Sequence, residues 1–148
     1  MSLFGLRKNN KNKKLKEEID KITKAINELL ENLRHTEPAY YTTAPLGVES
    51  IEDSIKRILN DIEQYKKSLE SYDYNFNLHH FPEIYQLENS LRQIIMILKH
   101  GRQQMNTPRI NGRLIAKNIN QSIEAKLQYI QHLWKIHEYN LHRFGIIK

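Results

Sequence analysis

The chain has 148 residues, 39% apolar and 27% charged, with no cysteine and a formal net charge of +6. This length supports a single hydrophobic core, and the lack of cysteine excludes disulfides, thiol nucleophiles and cysteine-bound zinc. The longest apolar run, residues 94 to 98, is far short of the roughly 20 residues that cross a bilayer.

At the start of the chain, Arg7, Lys8, Lys11, Lys13, Lys14 and Lys16 fall within ten residues that hold no acid. Leu3, Phe4 and Leu6 precede them but form no secretory core, and Ser2 stands where myristoylation needs glycine. The expected setting is therefore cytoplasmic, with peripheral contact to the inner membrane surface as a further option. Residues 1 to 16 are expected as a basic N-terminal arm, either flexible or a helix extension, ahead of one helical domain over residues 17 to 148.

A helix seam begins at Leu15 and continues through Ile19, Ile22, Ile26, Leu29 and Leu33, spaced 4, 3, 4, 3, 4. Residues 35 to 50 break the period with Pro38, Pro45 and Gly47, so a loop is expected there. Sixteen residues is long for a connection inside a bundle. Tyr40 and Tyr41 in that loop supply rigid aromatic surface with polar tips, which suits a protein interface.

Ser50 and Asp53 resemble a capping pair for a second helix. Its seam reads Ile51, Ile55, Ile58, Ile62, Tyr65, Leu69, Tyr72. Tyr72, Tyr74, Phe76 and Phe81 are expected to close one end of the core. Pro82 suits the first turn of a third helix carrying Ile84, Leu87, Leu91, Ile94 and Leu98. Ile95 and Ile97 widen that seam and predict an enclosed helix, and Lys99, His100 and Gly101 suit its end. A fourth helix is expected from a Thr107 cap, or alternatively from Asn111, to about Arg143. Its seam is Ile115, Ile119, Ile123, Leu127, Ile130, Trp134, His137 and Leu141. His137, on the apolar face, is expected to be a hydrogen-bonded core residue.

Four amphipathic helices without a period-2 strand predict an all-α fold: an antiparallel, up-down-up-down four-helix bundle with a long C-terminal helix. Starting at residue 108, the last helix would reach about 54 Å, and residues 8 to 16 or a second subunit would have to cover its excess.

Charge is segregated along the chain. Residues 17 to 90 hold 7 basic and 15 acidic side chains, whereas residues 91 to 148 hold 10 basic and 2 acidic. Either an anionic partner meets the basic blocks or the helices neutralise one another, with the last helix against acidic helix two. The six arm cations, with Arg113, Lys117, Lys135 and Arg143 on the last helix, are the candidate contacts for nucleic acid or an anionic membrane surface.

Catalytic motifs are missing. The sequence holds no Glu-x-x-His pair, P-loop, HExxH or GxSxG, and Arg92 and His100 are too far apart for an arginine–histidine ribonuclease pair. His79, His80, Glu138 and His142 share one end of the expected bundle, but the five-residue steps from His132 to His137 to His142 diverge around a helix. No metal, cofactor or small-molecule substrate is inferred. The function expected is that of a non-catalytic protein-interaction module: an adaptor, regulator or immunity-like factor. The alternatives are a sequence-independent nucleic-acid accessory protein or a peripheral membrane protein, and the heptad seams also admit a homodimer.

Overall fold

The computed structural model describes residues 3 to 34, 45 to 72, 78 to 105 and 112 to 147. All elements among them are helical: α1 (Leu3–Arg34), α2 (Pro45–Glu70), a 3-10 turn (Leu78–His80), α3 (Pro82–Met105) and α4 (Gly112–Arg143). No described helix is long and apolar enough to cross a membrane.

The heptad seams become the core. Leu15, Ile19, Ile22, Ile26, Leu29 and Leu33 of α1 are buried, as are Ile51, Ile55, Ile58, Ile62, Tyr65 and Leu69 of α2. Facing them are Ile84, Leu87, Leu91, Ile94 and Leu98 of α3 and Ile119, Ile123, Leu127, Ile130 and Leu141 of α4. Each such side chain contributes about 1.5–3 kcal/mol through its removal from water. The helices form a closed ring of neighbours in which α1 touches α2 and α4, and α3 touches α2 and α4. The contact between α3 and α4 is the most extensive.

Several boundaries differ from expectation. Helix α1 begins at Leu3, so residues 3 to 16 are part of the first helix, the helix-extension form of the two expected for the arm. Helix α2 starts at Pro45, which shortens the expected loop. Proline lacks only an amide hydrogen that the first turn leaves unbonded anyway, and its fixed φ suits a helix start. Ser50 therefore lies inside α2 and is no cap. Residues 35 to 44, with Tyr40 and Tyr41, are outside the described residues, as are Tyr74 and Phe76.

Helix α3 passes through Gly101 and ends at Met105. Gly101 is not a C-cap: it is buried, and a Cβ there would overlap the Cδ1 of Ile119 on α4. The missing side chain lets the two helices approach closely. Helix α4 starts at Gly112, past the expected Thr107 cap, and its 32 residues span about 48 Å. Helix α1 has the same number of residues.

The end of α4 follows from glycine chemistry. Gly145 adopts a φ of 73°, and the amides of Ile146 and Gly145 donate to the carbonyls of Leu141 and His142. This is the Schellman arrangement, in which a left-handed residue satisfies the last helical carbonyls. Ile146, buried near Leu141, adds the accompanying apolar contact.

Candidate interaction surface

Outside the core, Ile95 and Ile97 are half-buried and Met96 is 53% exposed, so α3 is not the enclosed helix its pattern suggests. On α4 the buried slot expected for Ile115 is taken by Ala116. Ile97 and Ile115, partly buried at the edge of the core, line a groove of about 650 Å³ between α3 and α4. Met96, Gln93, His100, Asn118 and Lys126 also border it. Among the described residues, no carboxylate does.

The apolar surface continues along α4. Ala125, Tyr129, His132, Ile136 and Tyr139 are spaced 4, 3, 4, 3 and are all exposed. This spacing puts them on one helical stripe, away from the buried seam of Ile123, Leu127, Ile130, Trp134 and Leu141. Helix α4 thus carries two heptad seams, one packed and one bare. Leu114 is exposed at its other end.

A second feature lies inside the molecule. His137 is fully buried, with Nδ1 2.9 Å from Glu83 Oε1 and Nε2 against the Tyr65 hydroxyl. An ionised Glu83 can only accept, so Nδ1 carries the hydrogen and Nε2 accepts from Tyr65. Asn140 donates to the same Glu83 oxygen at 3.1 Å, and Glu83 occupies the first turn of α3, where a negative charge is favoured. Trp134 packs edge-on against Tyr65 with centroids 5.5 Å apart, and its indole donates to the Thr23 hydroxyl at 2.7 Å.

Burial sets the titration of this cluster. It pushes His137 below the ordinary imidazole value, against the pull of the Glu83 hydrogen bond and the charges of Glu83 and Glu138. Burial also raises the Tyr65 phenol well above its usual value, reinforced by the charges of Glu18, Glu83 and Glu138. For Glu83, burial works upward, but hydrogen bonds from His137 and Asn140 outweigh it and hold the carboxyl below its ordinary value. Tyr65, Glu83 and His137 are all buried, and their hydrogen bonds tie α2, α3 and α4 together.

Of the expected cationic contacts, Lys13, Lys14, Lys16, Lys117, Lys135 and Arg143 are exposed. The side chains of Arg7, Lys8, Lys11 and Arg113 lie outside the described residues. Neutralisation of the last helix by acidic α2 does not occur among the described residues, because α4 packs on α1 and α3. The acids of α2 are used elsewhere: Asp61 meets Lys21 of α1 at 3.4 Å and Glu52 meets Arg102 of α3 at 2.9 Å. The two carboxylates of α4 also turn towards α1, Glu124 bonding Arg34 at 2.9 Å and Glu138 accepting from Thr23 at 3.1 Å.

The outer seam of α4 and the Glu83–His137–Tyr65 cluster were not anticipated as sites. The seam had a signal, since its spacing is visible in the sequence once the packed positions are set aside. The cluster had only a partial one: a tyrosine and a histidine standing on apolar seams. No protein-family model matches the chain, and neither a curated protein nor a solved structure matches it. Geometry and chemistry alone carry the functional reading.

Proposed function

We propose that this chain is a non-catalytic helical interaction module, a small cytoplasmic adaptor, regulator or immunity-like factor, built as an up-down-up-down four-helix bundle. The order of cross-helix partners supports the topology. Glu18 and Lys21 of α1 meet Ser68 and Asp61 of α2, while Lys66 and Glu52 of α2 meet Glu88 and Arg102 of α3. Gly101 and Glu83 of α3 approach Ile119 and His137 of α4, and Thr23 and Arg34 of α1 meet Glu138 and Glu124 of α4. In every pair one number rises as the other falls.

The observation that carries the function is the bare apolar face of α3 and α4, with Met96, Tyr129, Ile136 and Tyr139 exposed along it. Exposed aromatics and a methionine beside an open groove are the composition of docking surfaces. The test is crosslinking in the native cell with the wild-type chain and with Ile136→Asp, a surface change that leaves the core intact. Loss of the crosslinked partner with Ile136→Asp supports the reading; an unchanged partner refutes it.

A second reading, sequence-independent nucleic-acid binding, has its own support: Lys117, Lys135 and Arg143 are exposed and meet no carboxylate among the described residues. Fluorescence anisotropy with single- and double-stranded oligonucleotides separates the two. A log-log salt slope of about −0.9 per neutralised phosphate, reduced by removing residues 1 to 16, would favour nucleic acid. Absence of binding at low salt would leave the apolar face as the working surface.

A further inference from the structure

The rim of the bare face selects among its possible occupants. In a heptad built on the stripe, Lys126 flanks it on one side, and Lys135 and His142 flank it on the other. Lys126 donates to Gln93 at 2.6 Å, so its ammonium is held at the groove by an amide and not by a carboxylate. The acids nearest in sequence, Glu124 and Glu138, lie on the α1 side of α4, where Glu138 shares a cleft with Lys135, and are engaged there by Arg34 and Thr23.

A second copy docking through this same stripe would bring to the rim lysines, histidine and amides, so cation would oppose cation. That contact lacks the opposite charges that set pairing across a heptad interface. A partner helix with carboxylates at its flanking positions meets each lysine with its complement. The groove and stripe together run from Ile115 to Tyr139, about 36 Å along α4.

Resting on the interaction-module reading, we propose that the α3–α4 face binds one amphipathic helix of about seven turns, with an apolar stripe against Met96, Tyr129 and Ile136 and Asp or Glu facing Lys126 and Lys135. Tyr129 and Tyr139 supply rigid contact area, and Met96 adapts to the shape of the partner's side chain at the groove.

The experiment is selection from a displayed library of helix-forming 24-residue peptides with a fixed leucine stripe and flanks randomised between Glu and Lys, panned on the full chain. Glu-flanked helices are expected to dominate. Their affinity should fall at least about ten-fold with Ile136→Asp or Tyr129→Asp, and the double variant Lys126→Glu/Lys135→Glu should shift selection to Lys-flanked helices. Circular dichroism confirms that each variant keeps its fold. Selected helices that depend on Ile136 but show no preference for Glu would overturn the acidic partner and leave the interaction face standing. No enrichment, or binding indifferent to both Asp substitutions, would overturn the face as well. Sedimentation of the wild type as a dimer that Ile136→Asp dissociates would overturn the proposal in favour of a second copy.

Discussion

Replacing Tyr65 with Phe removes one oxygen from the most enclosed part of the molecule and leaves the ring in place. Tyr65 and His137 are both fully buried, and the lost hydroxyl is the hydrogen donor to Nε2 of His137. A buried acceptor then has no partner, and the space vacated by one oxygen atom is too small to admit water. The cost of such an unsatisfied group is about 1–3 kcal/mol, equivalent to about 3–9 °C in Tm for a chain of this size. Trp134, the sole tryptophan and buried beside Tyr65, reports unfolding in a urea titration followed by fluorescence, with far-UV circular dichroism in parallel. In a His137→Leu background the sign should reverse, because there the Tyr65 hydroxyl is the stranded group and its removal relieves a penalty. A Tyr65→Phe variant within about 0.3 kcal/mol of wild type, or an equal effect in both backgrounds, would refute the assigned hydrogen bond.

The same cluster predicts how stability depends on pH. His137 has a lower pKa in the folded chain than its ordinary 6.5, so the unfolded chain takes up the proton first and stability falls as pH drops below about 6.5. Glu83, also lowered, adds a second loss below about 4.5, whereas the raised Tyr65 removes stability above about pH 10. Urea midpoints at pH 7.5, 5.5 and 4, where His137→Phe should flatten the first loss, check the assignment. Gly101→Ala gains up to about 1 kcal/mol of helix propensity but forces Ile119 to move, at an overpacking cost of about 1–3 kcal/mol. The single change should destabilise, and in an Ile119→Val background it should become favourable in the same titration. Ile62→Ala, at the centre of α2 and fully buried, should cost about 2–5 kcal/mol, while Ile136→Asp on the bare stripe should stay within about 0.5 kcal/mol of wild type.

The two helical tyrosine and histidine positions show how far sequence reading reaches. Tyr65 and His137 stand on seams whose other members are apolar, and this is enough to place them inside. It does not say that they meet, because 72 residues separate them and Glu83 comes from a third helix. Ile95 and Ile97 fail in the opposite direction: in sequence they widen the apolar face of α3, yet both are only half-buried and Ile97 lines the groove beside α4. Boundaries were least legible where local signals compete. Gly101 carries a stop signal in sequence, but its role is steric, set by Ile119 on another helix. Ser50 likewise offers a cap that the chain does not use, because Pro45 starts the helix earlier.

What the sequence determined alone is the part that depends on near neighbours. Heptad spacing gave four helices and most of the buried set, since side chains three and four apart share a helical face wherever that helix is placed. Charge counts gave an acidic middle and a basic end for the same reason. Tertiary structure decided which faces found partners. By packing α4 on α1 and α3 and not on acidic α2, it left the α4 lysines without ion-pair partners among the described residues and one of its two heptad seams exposed. It also decided that Tyr65, Glu83 and His137 share hydrogens in the interior. These outcomes depend on helix positions and crossings, which are fixed by the shapes of distant side chains and leave no periodic trace in the sequence.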